Sequence, residues 1–380
     1  MSGNVLGVYD PLFYANEGLI ALEASLGMAS RVHRGYDKDP KSKGNTIEIK
    51  KPGTFEAKDA PSDDQDVETS MMEMKLNYWK EVKISFTDKE LTATGEEIIT
   101  DHIRPAAYAI AKDIDAKLNM LAAQVPWYVD AQATTSIDDL TTLGEVMFEN
   151  NVPMDDGNLH LEVGSKMRAG FQKLFSNNNT AGNASQEVLK SGHIGNWLGY
   201  EIFGNQNVGS HVKGSCSVAT LAVNGAYAKG SSIINIDAAA VTGTLLLGDT
   251  FVITGHAQRY AIVNNTAVTA AANAFTGVQI FPPLSQDVAD NAVVTVSLMN
   301  FTNNIAFHTN AFALAMAPLS DIGEKLGSNV RVASVVDPKS NLAMRARLWY
   351  NPDISKVKLA LDALYGVKCL DPNLACLLRK

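Results

Sequence analysis

The chain has 380 residues, of which 46% are hydrophobic and 19% charged, and its formal net charge is -9. This composition excludes a disordered or fibrous chain and allows two or three domains, with apolar material for at least one sizeable core. Dispersed basic residues and a negative balance exclude sequence-independent phosphate binding as the main activity, while like charge suits a surface lying beside DNA without adhering to it.

Residues 11–34 predict an amphipathic helix, with Asp10 as cap, Pro11 at the first position and Leu19, Leu22, Leu26 and Ala29 at helical spacing. A charged link follows, "GYDKDPKSKG", and a helix leashed this way packs either on its own body or on a neighbour. Next comes a ribbon. Ile47 and Ile49 alternate with Glu48 and Lys50, and Met72, Met74, Leu76 and Tyr78 alternate with Glu73, Lys75 and Asn77, so each strand has one apolar face. Between the arms lies "KDAPSDDQDVET", residues 58–69, with five acids, one Lys and Val67 as its single large apolar residue. Joining segments of this length exceed the ~2–5 residues of a hairpin loop. The stretch is either a plain surface loop or the tip of an extended hairpin with a task at its end.

"TDKE" at 87–90 matches a capping box, and 95–124 predicts a long helix. Ile103, Ala107, Ile110, Ile114, Leu118 and Leu121 share its apolar face, Lys112, Asp115 and Asn119 are expected on the opposite face, and Pro105 is expected to kink or restart it. A helix follows at 138–150, a strand at "NLHLEVG", a short helix at "SKMRAGFQKLF", a polar loop and a glycine-punctuated strand unit at 191–209. From about residue 213 to 300 short alternating runs rich in Val, Ile, Thr, Ala and Gly predict a small all-β barrel or sandwich. Helix-and-strand character resumes at "NIAFHTNAFALAMAPL", so the all-β stretch reads as an inserted domain.

Chemistry-bearing motifs are sparse. There is no nucleophile elbow, phosphate loop or dinucleotide fingerprint, and the seven histidines never fall at metal-binding spacings. His308 reads as a satisfied polar residue on an alternating strand, and "DDG" at 155–157 as a solvated turn. Trp349 and Tyr350 read as core plus rim at a strand end. Cys216, Cys369 and Cys376 have no metal-type spacing and point to a reducing compartment, the last two as buried thiols on helix. No basic-then-apolar leader and no run of ~18 apolar residues is present, so a soluble cytosolic product without membrane contact is expected.

Several stretches, in one order, resemble the major coat proteins of tailed bacteriophages, specifically the podovirus coat family with a Hong Kong 97-like shell fold and an inserted β-domain. They are "NEGLIALEASLGMASRVHRGYD", "GNTIEIKKPGTF", "KISFTDKELT", "RPAAYAIAKDIDAKL", "ENNVPMDDGNLHLEVGSKM", "SGHIGNWLGYEIFGNQNV", "NIAFHTNAFALAMAPL" and "LDALYGVKCLDPNLACLLRK". The resemblance implies an α+β chain with an N-arm helix and linker over 1–44, an extended hairpin loop over 45–86 and a peripheral domain with its spine helix over 87–129. An axial domain would begin at 130–212, the β-barrel-like insertion would occupy 213–300, a return strand of the peripheral domain 301–319, and the axial and peripheral remainder 320–380. Relatives can carry a long charged loop early in the insertion, but "NGAYAKGSS" here is short and nearly uncharged, so that two-fold contact is not carried over. No motif assigns the lysine–asparagine cross-link of some shell proteins.

The implied function is structural and non-enzymatic. Copies would form pentamers and hexamers of an icosahedral head enclosing double-stranded DNA without reading its sequence, assembled in the bacterial cytoplasm and resident in the virion. No cofactor or metal is expected. Partners would be further copies, a scaffolding protein during assembly, a portal protein at one vertex and a decoration or cement protein. Asp59, Asp63, Asp64, Asp66 and Glu68 at the loop tip are expected to pair with basic residues of a neighbour, Arg168 or Lys173, with Leu19, Leu22 and Leu26 as the N-arm contact. An encapsulin-like compartment shell and a glycan-binding surface protein are the competing readings.

Overall fold

The computed structural model describes residues 11–35, 46–51, 60, 70–87, 89, 97–177, 182, 185–319, 330–337 and 341–380. The chain forms two compact units, one from the residues through Ile114 with Ala313–Leu370, the other from Asp115–Phe312 with Asp371–Lys380. Helices and mostly antiparallel strands are mixed in an α+β manner, and no described helix is long and apolar enough to cross a membrane.

In the first unit, helix α1 (Pro11–Ser25) buries Tyr14, Ala15, Leu19 and Leu22. The helix stops earlier than the periodicity suggested. Gly27, at φ -96° and ψ -87°, leaves helical geometry and opens a separate 3-10 turn, Met28–Ser30, which buries Met28 and Ala29. Glycine pays the least steric and the most entropic penalty at such a break.

Strands β1 (Thr46–Lys51) and β2 (Ser70–Lys75) form the predicted antiparallel ribbon, in register Thr46↔Lys75 through Lys51↔Ser70. Here the structure departs from the expected boundary at 86. The return arm ends at Lys75, and β3 (Tyr78–Thr87) pairs over ten residues with β22 (Lys356–Cys369), from Tyr78↔Tyr365 to Thr87↔Lys356. A long buried strand must satisfy its backbone groups on both edges. β22 does so with β3 on one side and β21 (Ala343–Asn351) on the other, β20 (Val330–Val336) and β19 (Phe312–Ala317) completing the sheet.

Helix α2 (Glu97–Met120) is continuous through Pro105 and ends in a 3-10 turn, Leu121–Gln124. Ile103, Ala107, Ile110, Ile114, Leu118 and Leu121 are all buried, as the pattern predicts. Asp115 and Asn119, expected on the solvent side with exposed Lys112, are also buried. The helix is covered there on more than its apolar stripe.

Inside the first sheet, Asp362 is fully buried and lies directly opposite Arg345. Arg345 Nε donates to Asp362 Oδ2 at 3.1 Å and Arg347 Nη2 to Asp362 Oδ1 at 3.1 Å, while Arg347 also meets Glu81 Oε2 at 3.2 Å. A carboxylate held by two guanidinium forks offsets its desolvation cost only while both remain.

The second unit has a six-stranded sheet in the order β4 (Tyr128–Asp130), β23 (Ala375–Arg379), β18 (Asn304–His308), β5 (Leu159–Val163), β7 (Tyr200–Gly204), β6 (Gly195–Trp197). Helix α3 (Ile137–Glu149) begins at a capping box in which Asp139 Oδ2 accepts the Ser136 backbone N–H at 3.0 Å. With α4 (Ser165–Phe175) and the short α5 (Ser185–Ser191), it covers a core of Leu140, Met147, Leu161, Phe171, Phe175 and Ile202.

Strands β9 (Thr220–Val223), β10 (Ile233–Asp237), β12 (Thr250–Ile253), β13 (Arg259–Ile262), β15 (Ala274–Phe281) and β16 (Val293–Ser297) close into a barrel, where the sequence left barrel and sandwich open. Its filling is the inward half of each alternating strand, including Val223, Ile236, Phe251, Tyr260, Phe275 and Val294. Two short pairs, β8 (Ser210–His211) with β17 (Phe301–Thr302) and β11 (Thr244–Leu245) with β14 (Val268–Thr269), flank it.

Two further expectations fail locally. Cys369 and Cys376 lie on β22 and β23 instead of a helix, both buried. β18 does not alternate; all five of its residues are buried. Strands covered on both faces read as continuous apolar runs, which helix-forming Leu and Ala disguise as helix.

Replacing Asp362 by Ala is expected to destabilise the chain by about 3–5 kcal/mol, because it leaves two guanidinium groups without their buried partner. Urea unfolding of the variant beside wild type measures it; a loss under about 1 kcal/mol would show the cluster to be solvent-screened.

Candidate inter-subunit surfaces

The predicted probe, Asp59, Asp63, Asp64, Asp66 and Glu68, lies outside the described residues; its root does not. Ile47, Ile49, Met74 and Leu76 bury one face of the ribbon against Ala313 and Ala315, with Met72, Ala317, Leu364 and Leu370 at the margin. Alanines and Gly366 permit that approach. A Cβ on Gly366 would lie 2.5 Å from the carbonyl oxygen of Lys75. Each buried apolar side chain of this size is worth roughly 1.5–3 kcal/mol, so the ribbon is firmly based within its own unit.

The three leucines of the N-arm, Leu19, Leu22 and Leu26, are 7%, 0% and 9% exposed. Of the two open readings for this helix, packing on its own body is the one observed. The helix exposes instead Leu12, Phe13 and Ile20, the last of these lining a groove with exposed Tyr108 of α2. A shallow, mostly apolar groove lies between Ile20, Ala21, Ala24, Pro105 and Tyr108, with the Glu17–Arg104 ion pair at 3.1 Å on its rim.

Arg168 and Lys173 stand on α4, in the second unit. Asn304 Oδ1 accepts the Gly164 backbone N–H at 2.8 Å and fixes the entry to this helix. Met167, Phe171 and Phe175 turn inward, which leaves Lys166, Arg168 and Lys173 exposed, and the helix contains no acid. Lys173 sits in the last turn, where the helix dipole favours a cation. The stem of Arg168 rests on Gly204, where a Cβ would meet its Cδ at 2.6 Å. Among the described residues neither cation has an ion-pair partner, so both are available to an acidic segment.

A polar cluster that the sequence did not mark lies inside this unit, beside its apolar core. Glu162, fully buried, accepts from Asn119 Nδ2 at 2.9 Å and Asn205 Nδ2 at 2.6 Å, and Asn119 Oδ1 accepts the Gly209 backbone N–H at 2.8 Å. The sequence carried no signal for this cluster, since Asn119 was placed with Asp115 on the face opposite the apolar stripe.

Three histidines meet carboxylates: His308 Nε2 with Asp156 Oδ2 at 2.7 Å, His160 Nδ1 with Glu201 Oε2 at 2.8 Å, and His211 Nε2 with Asp249 Oδ1 at 3.1 Å. His308 is thus a satisfied polar residue, its Nδ1 accepting the Asn310 backbone N–H at 3.2 Å. Asp156 is in turn held down to about 2, chiefly by the His308 hydrogen bond and then by Asn158. Burial pushes the Cys376 thiol up to about 12, against the opposing field of Arg259 and Arg379. No group of three or more His, Cys, Asp or Glu among the described residues could hold a metal ion.

No protein-family model matches the chain, and no curated protein matches it. Among solved structures it is similar to a chain of Mycobacterium phage Che8, at 15% identity and a TM-score of 0.49, over 93% of this chain and 90% of that one. It is similar to a chain of the bacteriophage PhiM1 mature capsid, at 12% identity and a TM-score of 0.47, over 93% and 86%. It is also similar to a chain of the virus-like particle from Pyrococcus furiosus, at 10% identity and a TM-score of 0.41, over 96% and 97%.

Gly366→Ala is expected to push β2 off β22 and cost about 1–3 kcal/mol, as overpacking does. Faster proteolysis of residues 46–75 in the folded variant would register it, and an unchanged rate would refute the close approach. Asp156→Asn tests the histidine pair. The carboxylate's folded value, about 2, lies below its ordinary 3.8, so its stabilisation is present above 3.8 and lost as pH falls through 2. The melting-temperature gap between wild type and variant should therefore be open at neutral pH and close on acidification across that window; a pH-independent gap contradicts the assignment.

Proposed function

We propose that this chain is a shell subunit, the major capsid protein of a tailed bacteriophage, whose copies form pentamers and hexamers of a head enclosing double-stranded DNA. The observation that carries the reading is the ribbon. Its root is buried against the chain's own sheet, while the sequence between its two strands includes residues 58–69, with five acids, one Lys and a single large apolar residue. A rooted pair of strands joined by a segment too charged for any core is suited to contact another molecule.

A ring of identical subunits needs heterologous contacts, so each copy must present both a probe and its receptor. Asp59, Asp63, Asp64, Asp66 and Glu68 are the probe. Arg168 and Lys173, exposed on an acid-free helix, are the receptor on the next copy. Charged contacts of this kind set register and partner choice more than affinity, and the acidic tip stays soluble before assembly. A scaffolding protein acts during assembly, a portal protein occupies one vertex, and a decoration or cement protein can bind the finished shell. The negative net charge lets the wall enclose packed DNA without adhering to it.

Negative-stain microscopy of the expressed chain, with and without a scaffolding partner, is expected to show closed particles tens of nanometres wide, on the order set by subunit size. Small soluble oligomers under both conditions would refute the shell. Replacing Asp63, Asp64 and Asp66 together by Ala should lower particle yield and its salt sensitivity while the far-ultraviolet circular dichroism of the free subunit is retained. Normal shells at normal salt sensitivity would exclude the tip contact alone.

A further inference from the structure

Within the second unit the barrel is joined to the six-stranded sheet by the chain segments either side of residues 220–297, and two such links by themselves would form a hinge. What crosses between barrel and sheet is a cluster built on Tyr128 of β4. Arg379, at the end of β23, places its guanidinium carbon 3.4 Å from the Tyr128 ring centroid and 5.5 Å from that of Phe301. Its Nε donates to Asp130 Oδ1 at 2.7 Å, and Nη1 and Nη2 both donate to Ser297 Oγ, on barrel strand β16, at 3.2 Å.

From the barrel side, Arg259 of β13 lies 4.7 Å from the Tyr128 centroid and 5.3 Å from that of Trp127, and its Nη1 donates to the Tyr128 carbonyl at 3.3 Å. Gln258 Nε2 donates at 3.1 Å to Asn373 Oδ1, which also accepts the Trp127 ring N–H at 2.9 Å. A second tie stands at the barrel's entry. Buried Asp249 accepts from the backbone N–H groups of Gly214 and Leu246 at 3.1 and 2.7 Å and meets His211 of β8.

We propose that this cluster is a rigid joint locked by Arg379, so that barrel and six-stranded sheet move and unfold as one body. The physical reason is the burial of the lock. Arg379 is 2% exposed, and its charge is met by Asp130 and by the face of Tyr128. Swinging the barrel away would break both Arg379–Ser297 hydrogen bonds and take the Arg259 guanidinium off the Trp127 and Tyr128 rings and the Tyr128 carbonyl, while Asp130 and Tyr128 stay with Arg379. Arg259 has no carboxylate among the described residues, so it depends on the two aromatic rings and one carbonyl, and these belong to the sheet side. The joint unites residues near 128, 259 and 379. It closes only after the last strand has taken its place beside β4, which makes barrel seating a late step in folding.

The test uses the full chain, with hydrogen exchange read by mass spectrometry and unfolding read by calorimetry. Wild type should show one transition for barrel and sheet. Arg379→Ala should split it and speed exchange about tenfold or more in residues 205–215 and 298–303, as local opening requires, while 250–253 and 275–281 keep their protection. Arg379→Lys should fall between, since an ammonium keeps the charge but lacks the planar fork that spans Asp130 and Ser297. Ser297→Ala, which removes only its bonds to Arg379, and Gln258→Ala, which removes its bond to Asn373 along with a local one to the Arg259 carbonyl, should quicken the same two segments to a smaller extent and serve if Arg379→Ala does not fold. Two transitions in wild type, unchanged exchange in the Ser297 and Gln258 variants, or equal loss of protection across all barrel strands would overturn the joint. None of these results depends on whether the chain builds a shell.

Discussion

The first unit depends on the ten-residue antiparallel pairing of β3 with β22. Paired residues of those strands are about 270 to 290 positions apart in the chain, so the unit is not complete until its C-terminal part is made. Closing so large a loop is an entropic cost that only extensive pairing and burial can offset. The pairing also decides where the ribbon begins. Once Tyr78 stacks on Tyr365, with ring centroids 5.3 Å apart, the chain cannot continue alongside β1, and Lys75 becomes the last paired residue of the return arm. Tyr365 donates to Asp113, which is itself met by Lys80 at 3.4 Å, so the strand and the long helix share one polar link.

Buried charge is handled alike in both units. Asp362 is held by arginines from the neighbouring strand, Glu162 by two asparagine amides, and Arg379 by Asp130 and an aromatic face. Each group is far from its partner in sequence or sits on another strand. Such clusters add little net stability over an apolar filling, but they punish any register in which a partner is missing.

The elements were legible where one periodicity ruled. Six runs of alternating residues between 217 and 298 became the six barrel strands, because a barrel has one dry face and one wet face and the sequence records the difference. Ile103 through Leu121 marked the buried stripe of α2 for the same reason. Legibility failed where burial came from both sides. Cys369 and Cys376 stand on strands that have no wet face, and Asp115 and Asn119 are polar types that ordinarily signal solvent.

The acidic character of residues 58–69, the amphipathic faces and the barrel strands were therefore determined by the sequence itself, because each is a property of neighbours in the chain. Which strand closes the first sheet, whether the leucines of α1 face their own body, and how Arg379 reaches Ser297 and Tyr128 were decided only in three dimensions. Those outcomes rest on contacts between residues tens to hundreds of positions apart. Local pattern carries no register for such contacts, and packing selects one among many that propensity alone would allow.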